Sequence, residues 1–101
     1  MAMPSEPLVL INAFEAAPDG DGEFIRGWEG ARDNLETQPG YVDTALHRSV
    51  SPDADFRFVS VGRWRSVQDF QAATQSPAFG DVMQQLGRYR PHPGLHQVVR
   101  A

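Results

Sequence analysis

The chain has 101 residues, 41% hydrophobic and 22% charged, with no cysteine and a net charge of −4. That is enough for one domain of ordinary globular composition. It excludes disulfides and thiolate chemistry, and it argues against nucleic acid, whose phosphates need a basic face. No apolar run approaches the ~20 residues of a membrane span. The first seven residues lack the basic start and apolar core of a signal peptide, so a cytoplasmic location is expected.

Taken in order, residues 1–6 read as a loose leader. Residues 8–14 alternate as a first strand, with Leu8, Leu10, Asn12 and Phe14 on one face and Val9, Ile11 and Ala13 on the other. Residues 18–22 are turn chemistry. Residues 23–37 turn helical: Phe24, Trp28, Ala31 and Leu35 fall on one stripe, and Arg26, Glu29, Arg32, Asp33 and Glu36 mostly occupy the other faces. Gln38-Pro39-Gly40 stops that helix.

A second strand is predicted over 41–50, with Val42, Thr44, Leu46 and Arg48 on one face and Tyr41, Asp43, Ala45 and His47 on the other. A loop at 51–55 leads into the strongest strand signal of the chain, 56–64. One of its faces carries Phe56, Phe58, Ser60, Gly62 and Trp64, and the other Arg57, Val59, Val61 and Arg63. A serine and a glycine between aromatics fill a core face poorly and leave room, so this strand reads as the floor of a pocket. The opposite set reads as part of a subunit contact.

Ser66 with Asp69 has capping-box spacing, so a helix starts at about residue 67. Ser76-Pro77 starts another, running through Phe79, Val82, Met83 and Leu86 and ending near Gly87. Residues 88–94 read as an irregular link and 95–100 as the last strand. The order is β-α-β-β-α-β, the ferredoxin-like α+β pattern, with helices on one face of a four-stranded antiparallel sheet. The bare face, with Val9, Ile11, Val59 and Val61, predicts a homodimer whose two sheets pack face to face.

Several residues could carry chemistry. Asn12 lies among apolar neighbours, where an amide needs a partner. It is either a structural amide or a pocket group. Trp64 and Trp28 could be core or pocket wall. His47 and His92 are candidate bases, although a strand face or a surface loop would equally hold them. Arg88, Tyr89 and Arg90 could hold an acidic or phenolate substrate, or form a solvated turn. No metal site and no phosphate-binding or flavin motif is expected.

The run 10–15, the Gln38-Pro39-Gly40-Tyr41 segment, Val61-Gly62-Arg63-Trp64-Arg65-Ser66 and Phe70 together resemble the antibiotic biosynthesis monooxygenase superfamily. Its hallmarks are a Pro-Gly-aromatic lead-in to the second strand, Trp-x-Ser closing the third, and an aromatic four residues after that Ser. The resemblance covers about residues 8–86 and implies a dimeric α+β barrel. In the quinone-forming branch, an Asn and a Trp on the third strand and a Tyr on the next helix line the pocket. Here those positions hold Ser60, Trp64 and Phe70. In the haem-degrading branch, Asn12 matches the first-strand Asn, but Ala73 and Val82 stand where a Trp and the axial His belong, which disfavours haem.

What the resemblance implies is a small cofactor-independent monooxygenase oxidising an aromatic, polyketide-type phenol with molecular oxygen. Trp28, Phe58, Trp64, Phe70 and Phe79 would be its walls, and Asn12, Ser60 and one histidine, His47 or His92, its polar contacts. The alternatives are a cyclase or isomerase of the same fold, or a non-catalytic binder of haem or another apolar ligand.

Overall fold

The computed structural model describes residues 7–17 and 19–101. The leader at 1–6 and Pro18 of the predicted turn lie outside the described residues. The elements are β1 (Leu8–Phe14), α1 (Asp21–Leu35), β2 (Tyr41–Arg48), β3 (Phe58–Trp64), α2 (Val67–Thr74), α3 (Pro77–Leu86) and β4 (Pro91–His96), with a single 3₁₀ turn at Gly87–Tyr89 before β4. The sheet is antiparallel in the order β2-β3-β1-β4. This is the predicted ferredoxin-like α+β fold, with the second helical region split in two at Ser76. Among the described residues no helix is long and apolar enough to cross a membrane.

The helix starts follow local chemistry. Ser66 accepts a hydrogen bond from the Asp69 amide at 3.1 Å, and Ser76 accepts one from Phe79 at 3.2 Å. Each side chain satisfies an amide that the first turn leaves without a partner. α1 has no side-chain cap and instead places Asp21 and Glu23 in its first turn, where the helix dipole favours acid.

Asp21 also receives Arg57, through Nε at 3.2 Å and Nη2 at 2.5 Å, and Arg48 at 3.5 Å. The Arg57 hydrogen bond is the main reason its carboxyl titrates below the ordinary range. A lowered folded value contributes stability above the unfolded value of about 3.9, and that stability is lost as pH falls through the folded value. Wild type is therefore expected to be more stable than Asp21→Asn at pH 6. The gap should close below about pH 4, as read from urea midpoints.

Three boundaries differ from the sequence reading. β3 begins at Phe58, because Arg57 turns aside to Asp21 and Phe56 lies edge-on to the His92 ring at 5.3 Å. β4 covers 91–96 rather than 95–100. Part of the expected irregular link is therefore strand, and it tolerates Pro91 and Pro93 because β4 is the sheet edge, where alternate N–H groups need no partner. The third change is in β2, where a bulge lies between Tyr41 and Asp43. Tyr41 pairs with Trp64, and Asp43 pairs with the next residue back, Arg63. An extra residue of that kind reverses side-chain facing. Tyr41 therefore joins Trp64 on the helix-covered face, while Asp43, Ala45 and His47 stay on the other.

The core is in two pieces. Phe14, Phe24, Trp28, Ala31, Phe58, Leu86 and Tyr89 form one. Leu8, Trp64 and Ala73, with Leu35, Tyr41 and Phe70 against them, form the other. Between them the sheet presents Asn12, Ser60 and Gly62, too small or too polar to close the gap. On the opposite face, Val9, Ile11, Val59 and Val61 are only partly buried.

Gly40 ties β2 to α2. Its φ is +89°, and a Cβ there would fall on the Asp69 side chain, starting at its Cβ. Its carbonyl accepts from the Arg65 amide at 2.8 Å. Gly40→Ala should therefore cost at least ~2 kcal/mol, combining left-handed strain with a clash against an atom fixed by the α2 backbone. The urea midpoint reads this loss.

Candidate functional site

The gap between the two core clusters is a cavity of about 410 Å³, at the small end of the ~300–1,000 Å³ usual for small-molecule sites. The sheet supplies the floor through Leu10, Asn12, Ser60, Gly62 and Trp64. α1 supplies Trp28, Ala31, Arg32 and Leu35, and α2 and α3 supply Phe70, Phe79, Val82 and Met83. Pro93, Gly94 and Leu95 of the edge strand complete the wall.

The polar floor is small and specific. Asn12 and Ser60 are direct cross-strand partners, so both point into the cavity side by side. The Trp28 indole N–H donates to Ser60 Oγ at 3.0 Å. Ser60 thus has an acceptor position filled and its own O–H free to donate. Asn12 is 7% exposed, and its Oδ1 has no hydrogen-bond partner among the described residues. A buried acceptor without a donor is costly, and here it faces an open volume that a ligand can enter. Thr44 Oγ1 is already spent on the Val61 carbonyl at 3.2 Å. The Tyr41 ring meets Trp64 edge-on at 5.6 Å, and burial pushes its hydroxyl above the ordinary phenol value, so it stays a neutral donor.

Of the residues singled out in the sequence, Asn12, Trp28, Ser60, Trp64, Phe70 and Phe79 all line this one cavity. Phe58 does not: it is stacked on Phe24 with centroids 4.4 Å apart, inside the first core cluster. Neither histidine reaches the cavity. His47 lies on the opposite sheet face, its Nδ1 at 3.1 Å from the Val59 carbonyl. His92 falls within β4, opposite Ala13, and its Nε2 lies 2.6 Å from Glu15 Oε2 on the same outer face. Alternation along β4 sends Pro93 and Leu95 inward instead. In the 88–90 segment, Tyr89 is buried core, Arg88 pairs with Asp19, and Arg90 lies 3.8 Å from Glu15. None of the three lines the cavity.

Tyr41 and Arg32 are lining groups that the sequence reading did not put at the site. Alternation groups Tyr41 with Asp43, Ala45 and His47, and the bulge that separates it from them is invisible in alternation. Arg32 was placed with the solvent-facing residues of α1, yet it sits four residues after Trp28, on the side of the helix that borders the opening.

A sheet with its helices lifted off one face over an apolar cavity, with a few placed polar groups, defines a small-molecule-binding α+β domain. No curated protein matches the chain. The family model for antibiotic biosynthesis monooxygenase matches residues 7–85, and the chain belongs to that family. Among solved structures it is similar to a candidate monooxygenase from Shewanella loihica PV-4, at 36% identity over 96% of this chain and 98% of that one, with a TM-score of 0.79. It shares its fold with SnoaB, a cofactor-independent oxygenase from Streptomyces nogalater, at 22% identity over 95% and 96% of the two chains and a TM-score of 0.78. Rv0793 from Mycobacterium tuberculosis has the same fold at 17% identity over 95% and 98%, with a TM-score of 0.77.

Proposed function

We propose that the chain is a cofactor-independent monooxygenase that oxidises a phenolic, polyketide-type aromatic to a quinone, working as a homodimer through its uncovered sheet face. The observation that carries this reading is the cavity itself: aromatic walls around a floor where Asn12 offers an unpartnered acceptor and Ser60 a hydroxyl held by Trp28. Such a site holds a flat apolar molecule in one orientation and keeps water from it.

The chemistry suits that role. An ionised phenol is electron-rich enough to react with oxygen directly. One oxygen atom of O2 becomes the new carbonyl, and the other leaves as water with the single hydrogen of the oxidised ring carbon and the proton the phenol gave up. Within this scheme Trp64 and Phe70, in edge-to-face contact with centroids 5.5 Å apart, form one continuous aromatic wall against the ring. Asn12 and Ser60 fix the polar edge.

A second reading, a cyclase or isomerase of similar substrates, is favoured by one feature. Ser60 and Phe70 replace the Asn and Tyr of the quinone-forming pattern, so less polar machinery meets an oxygenated intermediate. Oxygen-electrode assays with anthrones and naphthols, each repeated without oxygen, decide between the two. Oxygen uptake with quinone formation supports the monooxygenase, and an oxygen-independent product supports the cyclase. A sharp Soret shift on adding one equivalent of hemin would overturn both. Sedimentation velocity tests the dimer.

A further inference from the structure

Within the cavity lining, among the described residues, there is one formal charge. Arg32 contributes a guanidinium, and no aspartate, glutamate or histidine is among the lining residues. Its Cζ lies 5.4 Å from the Trp28 ring centroid, over the same indole whose N–H holds Ser60. The side chain is 36% exposed, which places it at the rim rather than the floor. Its ion pair is with Asp33 at 3.3 Å, an adjacent and 65% exposed side chain, and exposed pairs of that kind hold their partners weakly.

The other charged and titratable groups around it lie outside the lining or stay neutral. Glu29 and Arg48 share a neighbouring surface depression with Trp28, Arg32 and Thr44, but neither lines the cavity itself. Glu36 acts on Tyr41 from the end of the helix, and Tyr41 itself keeps its proton. The cavity therefore has a positive rim, stacked and partly desolvated on an indole, with no internal base.

We propose that Arg32 is the anion-binding group of this cavity, holding an aromatic ligand as its oxyanion at the rim while the protein itself supplies no proton acceptor. The proton of a phenolic ligand passes to solvent at the opening, and the guanidinium compensates the charge left on oxygen. This inference rests on the reading of the cavity as a site for aromatic phenols, but it does not require that oxygen be consumed. It also separates the roles of the two ends. Arg32 takes the charged oxygen, while Asn12 and Ser60 take a neutral donor and acceptor further in.

The test is a binding titration under nitrogen with three probes: a nitrated naphthol whose ionisation is visible in absorbance, its methyl ether, and 2-naphthoate. Bound to wild type, the naphthol should ionise about one pH unit lower than free. Arg32→Gln should abolish that shift and weaken binding of the ionised probe roughly ten-fold, the same free energy seen from the other side of the cycle. The methyl ether should bind both proteins equally, which shows that the cavity has kept its shape. Naphthoate that loses affinity in Arg32→Gln, with no naphthol shift in wild type, would make the natural oxyanion a carboxylate and still support the assignment.

Three outcomes would overturn it: equal losses for ether and anion, an ionisation shift that survives Arg32→Gln, or no binding of any probe to wild type. Oxygen uptake reports separately on the proposed function. Turnover of phenols that Arg32→Gln leaves unchanged would sink this inference and spare the oxygenase. An Arg32-dependent shift without oxygen uptake would do the reverse.

Discussion

Phe24→Ala should remove about 3–5 kcal/mol of folding stability, the cost of emptying a fully buried aromatic site that cannot collapse. Phe24 is 0% exposed. Its ring stacks on Phe58 at 4.4 Å and meets Phe14 and Tyr89 edge-on, each at 4.8 Å. Those four rings come from α1, β3, β1 and the 3₁₀ turn before β4. One truncation therefore removes three ring contacts at once, tying α1 to β1, β3 and the 3₁₀ turn. Against a total stability of roughly 5–15 kcal/mol the loss is a large fraction, and for a domain of this size it lowers Tm by roughly 15–25 °C. Phe24 does not line the cavity, so ligand affinity measured well below the melting transition should stay near wild type. A loss under about 1.5 kcal/mol by urea denaturation would mean that the cluster repacks, and that this end of the sheet is softer than its ring geometry implies.

The parts of the molecule that could be read from sequence are those where one local rule decides. Alternation in 8–14 placed Asn12 on the helix side, and the same rule placed Ser60, Gly62 and Trp64 on β3. Because the two strands pair in register, with Asn12 opposite Ser60, two independent readings converged on one floor. Ser66 and Ser76 announced α2 and α3 through capping, which depends on three or four residues only. What failed needed information from elsewhere in the chain. The prolines of β4 argue against a strand unless that strand is known to be an edge, and edge position is set by the whole topology. The bulge in β2 moves Tyr41 across the sheet without any mark in the hydrophobic pattern. Arg32 looked like solvent-facing charge because a helix stripe says which side faces the sheet, but not where the sheet and helix part to leave an opening. The histidines depend on the same kind of information. Their titration range suggests chemistry anywhere, and only register shows that both His47 and His92 point away from the cavity.

Asn12→Leu is expected to stabilise the fold and impair the site at the same time. In wild type the Asn12 Oδ1 is buried and has no donor among the described residues. Leaving such an acceptor unsatisfied costs about 1–3 kcal/mol. Had the amide served the fold, it would have found a backbone N–H or a neighbouring hydroxyl. The cross-strand hydroxyl of Ser60 accepts from Trp28 and keeps its own O–H free, yet makes no bond to the Asn12 oxygen. Replacing the amide with an apolar side chain removes the penalty, and the extra volume of leucine enters a space of about 410 Å³ rather than a packed core. Tm should rise by roughly 4–8 °C, corresponding to ~1 kcal/mol. Turnover or affinity for a ligand that carries an inner hydroxyl should fall roughly ten-fold, the worth of one well-placed hydrogen bond in a dry site. Asn12→Ala separates lost bonding from lost room: it leaves the space open, and it should show the same drop in affinity without the filled volume. If Asn12→Leu instead melts below wild type, the amide is holding the sheet together and the floor of the cavity has no ligand to meet. A gain in stability paired with a loss in binding is the combination that a structural amide cannot produce, because a group kept for the fold does not weaken it.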